Sequence, residues 1–199
     1  MNAADRQALK QEILKNLKQF EKEAFVIAQK DFEKKKAQMV REFYEHPVTQ
    51  EIQAGPEAQN TTNTLGGNGN LYSYIGFDQE GADPIEIVGS TLEKEPQILK
   101  DSSYTVTKNG AVFEFKTTSV DQSALERATP LPFEDGKSWL RGIEKGISGL
   151  SNYIYSKSKM MESSRSGTGV QTENKIRSTS YKAVKYVSDI LAKFNKSIK

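Results

Sequence analysis

The sequence contains no cysteine and a single histidine, His46. Disulfides, thiolate zinc ligands and cysteine nucleophiles are therefore excluded, as is any metal site or mechanism that needs two imidazoles. Long hydrophobic runs are missing too. The longest, around Phe25-Val26-Ile27-Ala28, falls far short of the ~20 residues that cross a bilayer. The first ten residues hold no apolar stretch of the signal-peptide kind, so a soluble, unexported chain is expected. Hydrophobic residues make up 36% of the 199, and the mean hydropathy is −0.65. That is lean for a compact globule, so part of the surface should be solvated or covered only by partners. The length suits one domain with an appendage.

What is present is charge, unevenly spread. Residues 1–55 carry 10 basic and 9 acidic side chains, residues 56–135 carry 5 and 13, and residues 136–199 carry 13 and 4. The overall charge of +2 thus hides an acidic middle and a basic C-terminal third. Such asymmetry points to a nucleic-acid or membrane contact, to head-to-tail pairing of unlike faces between copies, or to neutralisation within one fold.

Residues 4 to about 45 read as one long helix. Leu9, Ile13, Leu17, Phe20, Ala24, Ile27, Met39 and Phe43 recur mostly in steps of three and four, and no Gly or Pro precedes Pro47. Charge interrupts the stripe between Asp31 and Lys36, with only Phe32 bridging it. A helix this long is expected to be an arm lying along partners rather than a core helix. Residues 47–70 carry loop chemistry. Leu71 to Phe77 alternates like a strand. Asp83-Pro84 caps and opens a short helix with Ile85, Val88 and Leu92 inward.

Asn109-Gly110 marks a hairpin over Tyr104 to Phe115, with Val106 opposite Phe113 and Tyr104 opposite Phe115. A short helix is expected over 121–128. Ser138 should cap another helix carrying Trp139, Ile143, Ile147, Leu150 and Ile154 on one stripe. Gly142, Gly146 and Gly149 lie on an adjacent face, where each costs about 1 kcal/mol relative to Ala unless another backbone comes close. A terminal helix follows with Tyr181, Val184, Val187, Leu191 and Phe194, its solvent side bearing Lys182, Lys185 and Lys193. The expected class is α+β: a long N-terminal helix, a small antiparallel sheet with an Asn-Gly hairpin, and packed helices in the C-terminal third. Residues 1–45 form the arm and 46–199 a single domain, with an extended Gly/Asn-rich segment at 55–70 and a flexible loop at 156–169.

Little in this pattern is catalytic. Gly66-Gly67-Asn68-Gly69 has no strand before it and no helix after it, and Gly167-Thr168-Gly169 lacks the Lys and Ser/Thr of a phosphate loop. His46 stands beside Glu42, Glu45 and Glu51, but a lone imidazole at a helix terminus, held protonated by the dipole, is the commoner arrangement. Asp78, Glu80, Asp83, Glu86, Glu134 and Asp135 read as solvated acidic surface. No cofactor, metal or catalytic site is expected. Arg165, Lys175, Arg177, Lys182 and Lys185 could meet nucleic-acid phosphates or an acidic protein face, with Tyr181 available for stacking.

Several motifs occur together in order. They are His46-Pro47-Val48-Thr49-x-Glu51-Ile52-x-x-Gly55, Thr64-Leu65-Gly66-Gly67-x-Gly69-Asn70-Leu71-x-Ser73-x-Ile75-Gly76-Phe77, Thr129-Pro130-Leu131-Pro132-Phe133, and the run from Gly136 through Ser138-Trp139 to Leu150. With Ser164-Arg165-Ser166-Gly167-x-Gly169 they resemble a family of virion structural proteins of tailed bacteriophages, of the marine and T4-like contractile-tailed kind. The resemblance implies a non-enzymatic particle component similar to neck or tail-completion proteins. It would form a homo-oligomeric ring of six or twelve copies at the head–tail junction, between connector and tail-terminator proteins, with genomic DNA in the channel. Leu71, Tyr72, Tyr74, Phe77, Trp139, Gly142, Gly146 and Gly149 are the expected subunit-interface residues. The alternatives are a DNA-binding accessory protein using the basic third, or a virion protein elsewhere in the tail or baseplate.

Overall fold

A computed structural model describes residues 3–65, 69–79, 81–107, 110–132, 134–146, 153–155, 169–171 and 181–198. The class is α+β, with a long N-terminal helix and small antiparallel sheets. Helix α1 runs from Ala3 to Glu45, about 65 Å at 1.5 Å per residue. It ends where Pro47 forces His46 out of helical geometry (φ −67°, ψ 134°).

Pro47 does not open a loop, however. It occupies the first turn of α2 (Pro47–Gln53), where its missing N–H costs nothing, and a turn of 3₁₀ helix follows over Gly55–Glu57. Leu71 to Ile75, expected as a strand, is instead helix α3. Asn70 caps it by accepting from the Ser73 N–H at 2.8 Å, and left-handed Gly76 (φ 84°) ends it. The residues that looked like alternation are buried at 71, 72 and 75, which is helical spacing.

Helix α4 (Pro84–Lys94) matches its expected cap, Asp83, and its buried face of Ile85, Val88 and Leu92. The hairpin β1 (Gln97–Thr107) and β2 (Gly110–Thr118) forms as expected, but its register differs by two residues. Tyr104 pairs with Phe113 and Thr107 with Gly110, and an irregularity lies between Ile98 and Ser102. A two-residue shift preserves side-chain parity, so Tyr104 and Phe113 still share a face, with rings 6.0 Å apart. Helix α5 (Gln122–Ala128) precedes a short ladder of β3 (Pro130–Leu131) and β4 (Glu134–Ser138).

Ser138 caps α6 as expected, but α6 spans only Trp139–Lys145. Gly146 takes φ 68° and donates its N–H to Gly142, so the stripe cannot run on to Ile154, which lies in β5 (Tyr153–Tyr155) paired with β6 (Gly169–Gln171). The terminal helix α7 covers Val187–Ser197. The preceding Tyr181–Tyr186 stretch stays non-helical because its donors are taken elsewhere: Lys182 N–H by the Thr64 carbonyl (2.9 Å) and Val184 N–H by Ile143 (3.2 Å).

The core corrects the idea of α1 as an arm throughout. Phe32, Met39 and Phe43 are fully buried with residues of α2, α3, α4, α6 and α7. Phe43 stacks on Tyr186 (5.8 Å) and Phe32 meets Phe194 edge-on (5.7 Å). Each such side chain contributes roughly 1.5–3 kcal/mol relative to exposure. The apolar stripe changes face along α1, since Phe32 lies twelve residues beyond Phe20, roughly 120° around the helix. That turn explains the charged interruption between Asp31 and Lys36.

Candidate functional site

Glu51, Leu65, Asn70 and Leu71 meet Asn60 and Thr62 in one polar clasp. Glu51 is buried on α2, and its carboxylate accepts four hydrogen bonds from the segment that follows. Asn60 Nδ2 donates at 2.8 Å, Thr62 Oγ1 at 2.7 Å, and the N–H groups of Thr62 and Leu71 at 3.0 and 2.8 Å. Asn60 also accepts from the Leu65 N–H (3.1 Å), and Asn70 Nδ2 donates to the Pro56 and Ala58 carbonyls. A segment rich in Asn and Thr is thereby fixed without a hydrophobic core of its own. Beside it, Thr49 and Tyr186 hydroxyls meet at 2.5 Å, tying α2 to the approach to α7. Burial pushes the Tyr186 phenol well above its ordinary pKa, partly offset by that hydrogen bond.

The residues expected at a subunit interface are largely occupied within the chain. Leu71, Tyr72 and Trp139 are buried core residues. Phe77 packs edge-on against Trp139 at 5.5 Å, and Tyr74 stacks on Tyr181 at 5.8 Å with rings nearly parallel. Gly142 is buried inside α6, whereas Gly146 is exposed at its left-handed end, so they do not form one helical face. Gly149, Arg165, Lys175 and Arg177 lie outside the described residues, as does most of the loop at 156–169. Lys182 and Lys185 are exposed, on the extended stretch before α7 rather than on a helix.

His46 also departs from expectation. Its Nδ1 accepts the Val48 N–H at 3.2 Å, making the imidazole the cap of α2 rather than a cation at the end of α1. Its pKa is lowered, first by burial and then by Lys193, while a backbone hydrogen bond to Lys185 and the charge of Asp189 act the other way. Glu51, one of the glutamates near His46 in sequence, is committed to the clasp. Among the described residues no group of three or more His, Asp or Glu could hold a metal ion.

A different surface emerges on the outer half of α1 and the hairpin, and sequence reasoning missed it by reading the charged interruption of the α1 stripe as a gap rather than a change of face. Phe25 packs edge-on against Phe115 at 5.3 Å, and Ser102 donates to Glu21, so helix and ribbon form one unit. On α1, Leu17, Phe20, Ala24 and Ile27 follow 3-4-3 spacing away from the core face. Phe20 is 55% exposed and Ile27 71%, while Tyr104 of the hairpin is 50% exposed. The signal available in sequence was the change of face after Ile27. No described helix is long and apolar enough to cross a membrane, so this apolar surface is not a span.

Comparison with known proteins finds no matching family model, no matching curated protein and no matching solved structure.

Proposed function

We propose that this chain is a structural subunit of a tailed-phage virion, a neck or tail-completion protein that joins the head connector to the tail as one member of a homo-oligomeric ring. The observation that carries the reading is the α1–hairpin unit, anchored in the core at one end and offering Phe20, Ile27 and Tyr104 to solvent at the other. Exposed large apolar side chains gathered on one unit favour contact with another protein. A ring repeats one heterologous contact until it closes, and a sequence with an acidic middle and a basic C-terminal third suits such unlike pairing. The motif resemblance supplies the particle.

Cryo-electron microscopy of purified phage particles tests this. The expected result is a ring of six or twelve copies at the head–tail junction, with α1 and the hairpin against a neighbour. Density in the baseplate would keep the structural class and discard the position. Absence from the particle would overturn the reading.

A further inference from the structure

An open cleft of about 700 Å³ lies where α5, β4 and α6 meet. Among the described residues, Arg127, Lys137, Arg141 and Lys145 line it against one carboxylate, Glu126. Arg141 and Lys145 are one helical turn apart on α6 and so share a face. The cleft is prebuilt: Thr129 Oγ1 and Ser138 Oγ meet at 2.8 Å, and the Trp139 N–H bonds to the Thr129 carbonyl at 2.9 Å, locking the end of α5 to the start of α6. Two ion pairs at the cleft are long. Arg141 stands 3.8 Å from Glu126 and Arg127 4.0 Å from Asp121. Pairs of this kind are weak and exchange readily for another anion.

We propose that this cleft binds the phosphodiester backbone of a polynucleotide. Among the described residues that line it, Pro130 is the only apolar side chain and none is aromatic. A protein partner is held mainly by aromatic or aliphatic anchors in pockets, and base recognition by stacking needs an aromatic platform. Neither is present among the described lining residues, while charge-assisted contact with phosphates needs only Arg and Lys in an open groove. At the cleft's edge Gly146 lies near Tyr181, whose ring an added Cβ would approach to 3.7 Å. Tyr181 begins the segment that carries exposed Lys182 and Lys185, and its hydroxyl donates to the Ile143 carbonyl of α6 at 3.1 Å. The assignment is independent of the virion reading.

The test is fluorescence anisotropy of the full-length chain with labelled duplex DNA of two unrelated sequences, titrated across salt. Both sequences should bind alike. R141Q/K145Q should weaken binding about ten-fold at 0.1 M salt and reduce the log–log salt slope by about 2. R127Q gives the same reading from α5, with circular dichroism as the check on folding. K94Q/K100Q makes the same charge change outside the cleft and should weaken binding less than about two-fold. Equal weakening by the two double variants, or no binding by the parent chain at low salt, would overturn the proposal. Competition by polyglutamate as effective as by unlabelled DNA would do so too, identifying an acidic protein face as the ligand.

Discussion

Four donors reach the Glu51 carboxylate from Asn60, Thr62 and Leu71, and no substitution of similar shape can satisfy them all. Glutamine would replace one acceptor oxygen with an NH₂ group facing other donors. Glu51→Gln should therefore cost about 2–4 kcal/mol. It should be seen as a lower urea midpoint with faster amide exchange at Thr62 and Leu71, and an unchanged midpoint would show that the clasp does not hold the segment. His46 supplies a pH dependence with a defined sign. Its folded pKa lies below the ordinary 6.5, so the unfolded chain binds the proton more readily. Stability from this group is full above about pH 6.5 and declines as pH falls towards the lowered folded value. His46→Asn, which retains a capping acceptor, should remove that decline in urea titrations at pH 7.5 and 5.5. Because His46 is the only histidine, its imidazole resonance reports the folded pKa directly.

At the scale of elements, a close approach to a glycine occurs at Gly89 of α4. A Cβ there would stand 2.2 Å from the Tyr44 hydroxyl and 2.9 Å from its Cζ, where α1 crosses α4. Gly89→Ala gains about 1 kcal/mol of helix propensity but must displace that ring. In a double-mutant cycle it should be more favourable by about 1 kcal/mol or more in a Tyr44→Ala background than in the parent. Equal effects in both backgrounds would mean that the ring moves aside freely.

Elements with chemical punctuation were legible in sequence: the caps Asp83 and Ser138, the hairpin, and the proline that ends α1. What was not legible depends on distant partners. Leu71–Ile75 is a helix because Asn70 caps it and Glu51 takes its first N–H. Tyr181–Tyr186 is not helical because Thr64 and Ile143, remote in sequence, claim its donors. For the candidate site, Tyr72 and Trp139 were singled out as large aromatics, and their size filled the chain's own core. Lys182 and Lys185 were foreseen as exposed cations, whereas the cleft's cations gather only once α5, β4 and α6 fold together.

On the scale of the whole molecule, α1 divides near residue 28 into a packed half and a half with exposed apolar side chains. Phe32, Met39 and Phe43 hold the core together, while Phe20 and Ile27 face solvent on a different side. Substitution at the two ends should therefore separate stability from assembly. Phe32→Ala should cost about 3–5 kcal/mol, as for a fully buried aromatic side chain. Phe20→Ser with Ile27→Ser should change stability by less than about 1 kcal/mol, since neither side chain is packed within the chain. The same pair should sharply reduce self-association in sedimentation velocity and incorporation into particles, because the 3-4-3 seam then lacks its two most exposed apolar positions. A marked fall in melting temperature for that pair would assign the seam to the chain's own fold. Unchanged association would remove the α1–hairpin unit as the surface on which neighbouring subunits meet.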